Sequence, residues 1–223
     1  MNAAHTAAAV ADHPAEHLAH QFDDPQQQRQ AAELGMWLFL VTEVMFFGGL
    51  FLAYLVYRLP NEQAFAHASR HLDPLLGGIN TLVLLASSLL MALAVHAAEH
   101  GRRRWLPILL VGTMLLGGVF LGIKAYEYQH KYHDGLMPRM SAYDKLPGAE
   151  RIFLNLYFLM TGVHAIHMVI GIGLLAVLSI AAFATQGRAP RATTVHVAGL
   201  YWHFVDIVWV FLYPFLYLIA VHR

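Results

Sequence analysis

Apolar residues gather along the chain into five long runs, which short polar stretches separate. A helix needs about 20 predominantly apolar residues to cross the hydrocarbon layer of a membrane, and each run reaches that length. The pattern predicts transmembrane helices at residues 34–57, 75–98, 106–128, 152–183 and 197–221. We therefore expect an all-α polytopic membrane protein, with one five-helix bundle formed by residues 33–223.

The polar N-terminal stretch, residues 1–32, is predicted to be a disordered tail. It has too few apolar side chains to bury a core of its own. The tail contains His5, His13, His17 and His20, and histidine is a common metal ligand, so metal binding is the alternative interpretation. Because no basic start is followed by an apolar core, we expect no cleavable signal peptide.

Composition and charge narrow the class of protein further. Hydrophobic residues make up 58% of the chain and charged residues 13%, which is far from the balance of a soluble domain. The formal net charge is zero and cysteine is absent. The chain thus offers no thiolate metal site or disulfide framework, and we expect no nucleic-acid partner.

The orientation in the membrane is predicted from the basic cluster HGRRRW in the shortest loop. Lysine and arginine in short loops favour the cytoplasmic side. The longer loops of the opposite side hold more basic residues, but acids are spread among them. We expect the N-terminus in the cytoplasm and, since the number of spans is odd, the C-terminus outside.

Ionisable residues inside the spans are the first candidates for function, because each costs about 2.5–3.5 kcal/mol to insert. We expect a proton-related or buried polar role for four of them: Glu43, Glu127, His203 and Asp206. Glu43 lies deep within GMWLFLVTEVMFFGGLFLAYL. Its carboxyl either takes part in proton movement and polar contacts with lipid or a neighbouring helix, or is protonated and hydrogen-bonded for packing alone.

His203 and Asp206 lie three residues apart in the last span, so they share a helix face. The acid can then partner the imidazole, which would lower the cost of burying both. Such a pair could be a proton relay element or a structural clamp to another helix or subunit. The spacing leaves both interpretations open.

His164 and His167, in TGVHAIHMVIG, also share a helix face. Metal or haem ligation would require His96 or His203 on another helix as well. Interhelical hydrogen bonds to carboxyls or backbone carbonyls are the favoured alternative. We therefore expect structural or interhelical roles for His96, His164 and His167, and no metal site.

Two further residue types suggest contacts at the membrane interface and between helices. Trp202 and Trp209 are aromatic residues typical of an interfacial belt, so we expect them to contact lipid headgroups or the interface. Gly118 and Gly122, in GVFLG, are small residues that permit close helix approach.

Four segments, in this order along the chain, carry a resemblance to a known family. They are ELGMWLFLVTEVMFFGGLFLAY, FLGIKAYEY, LYFLMTGVHAIHMVIG and YWHFVDIVWVFLYPFLYL. The first contains Glu43, the second ends just after Glu127, and the last contains Trp202, His203 and Asp206. Across all five spans the chain resembles subunit III of the haem-copper oxidases, the cytochrome c oxidase subunit III family.

The resemblance implies a subunit of a proton-pumping oxidoreductase that is not itself the catalyst. It would bind no cofactor, since haem and copper belong to the partner subunits, and it would dock with oxidase subunits I and II in the bacterial inner (plasma) membrane. Members of this family support proton uptake, protect the enzyme from inactivation during turnover and hold structural phospholipid. The family's carbodiimide-sensitive acid matches Glu43.

One departure from the longer members is the lack of a helix pair before the spans present here. An extended or fused subunit I can supply that pair in bacterial oxidases. Subunit III of a quinol oxidase and the accessory protein of a nitric oxide reductase are alternatives within the same resemblance.

Two alternatives come from other classes of protein. An independent membrane haem or metal enzyme would use His96, His164, His167 and His203 as ligands. A stand-alone transporter would use Glu43 and Asp206, but no inverted repeat supports it.

Overall fold

The computed structural model describes residues 21–102, 104–138, 140–184 and 190–218. These residues form six α-helices: α1 (Pro25–Arg58), α2 (Glu62–Ser69), α3 (Pro74–Glu99), α4 (Trp105–His133), α5 (Gly148–Ala184) and α6 (Ala192–Tyr217). Two 3₁₀ turns, Leu59–Asn61 and Tyr143–Lys145, lie in the connections.

Five of these helices, all but the short α2, are long and apolar enough to cross a membrane. Within the described ranges there is no β-strand. The prediction of an all-α, five-span membrane protein is therefore confirmed. The short helix α2 belongs to the connection between α1 and α3 and packs against α5.

The first span begins earlier than the apolar pattern predicted. The Asp24 carboxylate accepts a hydrogen bond of 2.7 Å from the backbone N–H of Gln27 and so caps α1, which starts at Pro25. Proline suits the first turn because its missing N–H would have no partner there. Residues 25–32, assigned to the tail from their polarity, are thus helical. The four tail histidines lie outside the described residues.

Helix α6 forms the centre of the bundle, where it packs against α1, α3 and α5. It is the most buried of the five spans, and α1 is the most exposed. The indole of Trp202 fits against two glycines on neighbouring helices. A Cβ atom would lie 2.8 Å from that ring at Gly117 and 3.0 Å at Gly171, so no larger residue fits without a shift.

The close approach predicted at Gly118 and Gly122 is wrong. A Cβ atom at either position would meet no described residue within 4 Å. Gly117, on another face of α4, makes the tight contact instead. The sequence pattern identified the right segment of α4 but not the face that packs.

Candidate functional site

Glu43 and His167 form a polar pair that joins α1 to α5. Glu43 Oε2 and His167 Nε2 are 3.1 Å apart, and the other ring nitrogen, Nδ1, lies 2.9 Å from the carbonyl of Val163. Because a carbonyl only accepts, Nδ1 must carry a hydrogen. One further proton then lies between Glu43 and Nε2, on either the carboxyl or the ring.

The surroundings of this pair leave it partly open. The Glu43 and His167 side chains are 17% and 16% exposed on the outer side of the bundle. The ring of Phe47 packs edge-on against the imidazole, with centroids 5.3 Å apart, and the Tyr201 hydroxyl donates to the His167 carbonyl. The helix positions are therefore fixed while the carboxyl remains reachable from outside the chain.

A second cluster surrounds Glu127 near the end of α4. Lys124, one turn earlier, donates to Glu127 Oε2 at 3.0 Å. The hydroxyls of Tyr157 on α5 and Tyr217 on α6 each donate to Glu127 Oε1 at 2.8 Å. Both carboxylate oxygens thus have partners, and three helices meet at this one acid.

The ammonium group of Lys124 is equally well enclosed. It lies 2.7 Å from the Tyr217 hydroxyl and 3.2 Å from that of Tyr157. Its nitrogen is also 5.1–5.4 Å from the ring centroids of four aromatic residues, within the range of a cation–π contact. These are Tyr128, Tyr157, Trp209 and Tyr217.

Sequence reasoning selected Glu127 as a buried polar residue but missed Lys124. The signal was present, since a lysine three residues before a glutamate within an apolar span places opposite charges on one helix face. Both side chains are 6% exposed, and the pair has a full set of partners. This arrangement is that of a buried structural ion pair.

The predicted pairing of His203 with Asp206 is not formed. His203 Nδ1 lies 2.7 Å from the Ser88 hydroxyl on α3, and among the described residues neither carboxyl oxygen of Asp206 has a hydrogen-bond partner. Asp206 is only 3% exposed. Spacing of three residues gives a shared face, but the His203 ring bonds to Ser88 on the facing helix and not to Asp206.

The remaining histidines of the spans occupy two different settings. His164 is buried between aromatic rings, with its centroid 5.2 Å from Trp209 and 5.4 Å from Phe120. Neither ring nitrogen has a partner in the part of the chain that the structure describes. It therefore contacts other helices through ring packing and not through the predicted hydrogen bonds.

His96 differs from the prediction more strongly. It is exposed and its ring lies 4.0 Å from that of His100 on the same helix. Its ring contact within the described residues is local, so they show no interhelical contact of this ring, and a structural role stays a prediction. The residue lies near the C-terminal end of α3, where a helix normally emerges from the apolar layer.

The expected lipid or interface contact of two tryptophans is also wrong. Trp202 and Trp209 are buried in the bundle, at 1% and 0% exposure. Their indole N–H groups donate to Ser87 and Thr81 on α3, at 3.0 and 3.1 Å. Buried hydroxyls on a facing helix thus satisfy the polar group that would otherwise favour the membrane interface.

Comparisons with known proteins give a consistent result. The family profile described as cytochrome c oxidase subunit III matches residues 19–221. The chain is 35% identical to cytochrome c oxidase subunit 3 of Thermostichus vulcanus over 192 residues, which cover 84% of this chain and 87% of that protein.

Two other relatives carry related names. The chain is 33% identical over 190 residues to the probable cytochrome c oxidase subunit 3 of Nocardia farcinica, covering 83% of this chain and 87% of the relative. It is 29% identical over 205 residues to the probable quinol oxidase subunit 3 of Staphylococcus haemolyticus, covering 92% and 96%.

Proposed function

The chain belongs to the cytochrome c oxidase subunit III family, and from this premise we propose that it serves as a non-redox accessory subunit that supports proton uptake by its oxidase. As a member of that family it is a subunit of a haem-copper oxidase. The finer assignment concerns what its own residues contribute. It rests on one observation, the Glu43–His167 pair.

The pair has the properties that proton handling at membrane depth requires. Two titratable groups 3.1 Å apart share one proton without a net charge, because neutral acid with neutral imidazole and carboxylate with imidazolium are both neutral overall. Exchange between these forms leaves the net charge of the pair unchanged. Since the carboxyl is also partly exposed, a proton can pass between it and a neighbouring molecule.

A role without redox centres is supported by what the transmembrane histidines already contact. His164 is packed between rings, His167 contacts Glu43, and His203 lies against Ser88. A haem would need axial ligands that converge from facing helices. These side chains are directed to separate protein partners, which favours an accessory role over an independent haem or metal enzyme.

The partners follow from family membership and from the exposed face. We propose oxidase subunits I and II as the protein partners. Apolar side chains such as Leu38, Val41 and Met45 project from α1, which suits contact with phospholipid acyl chains or with subunit I. Haem and copper would belong to the partner subunits.

The proposed orientation places the N-terminus in the cytoplasm. Arg102 and Arg104 lie exposed in the tight turn between α3 and α4, and short basic loops favour the cytoplasmic side. The connections that carry α2 and the turn Tyr143–Lys145 then face outward. A bacterial plasma membrane location follows from the oxidase assignment.

The chain resembles subunits named for two electron donors, and a quinol oxidase is the second candidate. The observation that favours it is the match to probable quinol oxidase subunits over 92% of this chain. A copper-binding subunit II among the co-purifying proteins would identify the cytochrome c type. Its replacement by a subunit II without copper ligands would identify the quinol type.

The experiment that tests the accessory role is extraction of the tagged chain in mild detergent. Co-purifying subunits and the reduced-minus-oxidised spectrum are recorded before and after the partners are stripped. We expect haem and copper signals to arrive with a large partner and to leave with it. Haem absorbance retained by the stripped chain would overturn the proposal, because its own histidines would then be ligands.

A further inference from the structure

Outside the polar clusters already described, two histidines and one glutamate converge at the outward-facing end of the bundle. They are His67 at the end of α2, His71 just after it, and Glu150 in the first turn of α5. One ligand atom of each lies within 4.8 Å of the others. The prediction of no metal site considered only the tail and the spans, so it left these residues unexamined.

The backbone explains why the two histidines share a face. Helix α2 ends at Ser69, but Arg70, His71 and Leu72 continue the turn through N–H bonds to the carbonyls three residues before them. His71 therefore stays one turn beyond His67, and their ring centroids are 6.1 Å apart. Side chains with this spacing can bind one ion from one side.

Glu150 supplies a carboxylate of which only one oxygen has a contact with a described residue. Its Oε1 lies 3.1 Å from His67 Nδ1, while Oε2 is buried and has no hydrogen-bond partner within the described ranges. The residue is only 6% exposed. Burial of an unpartnered carboxylate oxygen is costly, which is unusual unless a further ligand completes the site.

We propose that His67, His71 and Glu150 form a binding site for a divalent transition-metal ion of the zinc class. Two imidazoles and one carboxylate are a ligand set that Zn²⁺ accepts. Bond lengths of about 2.0–2.2 Å around such an ion place neighbouring ligand atoms about 3.3 Å apart. The observed atoms, within 4.8 Å of each other, need only side-chain rotations to reach this geometry.

Charge around the site is compatible with a cation. Lys131 donates to the His71 carbonyl. Three acids, Glu127, Asp73 and Asp134, lie close enough to compensate the positive charge of this lysine.

A second histidine cluster provides the internal comparison. His96, Glu99 and His100 have the same one-turn histidine spacing at the opposite end of the bundle, and ligand atoms within the same distance. All three are exposed, and His100 Nδ1 already contacts the His96 carbonyl. This cluster lacks the buried, unpartnered carboxylate oxygen, so we do not assign a metal to it.

A metal at the proposed site would join α2 to α5 on the outward face. His67 and His71 are exposed, so the ion can enter from solvent and keep water at a remaining position. The site would thereby hold the connection between α1 and α3 against the bundle. The metal site depends only on the fold of this chain, so it is independent of the proton-related role proposed for Glu43 and His167.

The test uses the full-length chain, purified through a tag without histidines together with the subunits that accompany it. The preparation is stripped with a chelator, incubated with Zn²⁺, desalted and analysed for zinc per chain by mass spectrometry. Ligand variants are His67→Asn, His71→Asn and Glu150→Gln. The matched control is His96→Asn, which alters the other cluster while the tail histidines stay unchanged.

We expect wild type and His96→Asn to retain equal zinc, and each ligand variant to retain about one ion less per chain, in line with a single mononuclear site. In titrations against a competing chelator, the corresponding binding step should weaken more than about tenfold. Equal zinc retention by wild type and by the correctly assembled His67→Asn and His71→Asn variants would overturn the proposal. Both positions are exposed, so these variants test it even if Glu150→Gln impairs folding.

Discussion

The Lys124–Glu127 cluster and the Glu43–His167 pair both bury an acid in a membrane helix, but they do so in opposite ways. Glu127 has partners on both carboxylate oxygens and is enclosed by tyrosines from two further helices. Glu43 has one partner, on a helix face that remains partly open. The closed cluster joins three helices, whereas the open pair is where we propose that a proton is exchanged.

This comparison separates two reasons for the presence of an acid at membrane depth. A fully partnered charge is a packing element, and its removal leaves its counter-charge without compensation. A partly partnered acid at an open face contributes little to stability, and for such an acid we propose a functional role. The following predictions would break or sharpen the distinction, and they run from the largest expected change in stability to the smallest.

Lys124→Met should produce the largest effect. It leaves Glu127 buried without its counter-charge, so we expect the free energy of unfolding to fall by about 3–5 kcal/mol. Denaturation with SDS in mixed micelles measures this change. The exposed Lys145→Met is the matched control and should leave stability unaltered. Equal behaviour of the two variants would show that the cluster is not a structural element.

Tyr217→Phe should have the next largest effect. It removes one hydroxyl that donates to Glu127 and accepts from Lys124, and a hydrogen bond to a charged group contributes about 1.5–3 kcal/mol. The same unfolding assay applies. Tyr126→Phe, on the exposed face of α4, serves as control. A loss no greater than in that control would contradict the assigned network.

Ser88→Ala should lower the free energy of unfolding more than Asp206→Asn does. Ser88→Ala removes the contact to His203 Nδ1, and we expect a loss of about 0.5–1.5 kcal/mol. Asp206→Asn breaks no hydrogen bond to the residues that the structure describes, so its effect should be smaller. A larger loss of unfolding free energy in Asp206→Asn than in Ser88→Ala would support the structural pairing of Asp206 with His203 that the spacing predicted.

Glu43→Gln should have the smallest effect on stability. The amide can still hydrogen-bond His167, and the pair is partly exposed, so the change should stay below about 1 kcal/mol. Unfolding of the variant is compared with that of the neighbouring Thr42→Val on the exposed face. A loss that matches Lys124→Met would place Glu43 among the structural acids.

The spans were predictable from sequence because hydrophobic length alone nearly determines a membrane helix. The start of α1 was not, since Asp24 and Pro25 act through a local cap in a polar stretch that the apolar pattern ignores. Side-chain contacts between different helices could not be predicted from the sequence either. Glu43 and His167 were each selected as candidates, yet they lie 124 residues apart and only the packing of α1 on α5 joins them.

The errors share one physical cause. Periodicity indicates which residues lie on the same helix face, but not which neighbour that face meets. Thus His203 contacts Ser88 on another helix and not Asp206 on its own, and Trp209 donates to Thr81 in the interior and not to lipid headgroups. Lys124 was overlooked for a similar reason, because its value depends on tyrosines from α5 and α6.

The most direct test of the central claim compares sustained turnover of the oxidase that contains wild-type chain or Glu43→Gln. Oxygen consumption and proton release are followed together over many catalytic cycles, with subunit content verified before and after. We expect Glu43→Gln to assemble normally and to lose proton-coupled turnover progressively. Unchanged turnover and proton release throughout the time course would contradict a proton-related role for the Glu43–His167 pair.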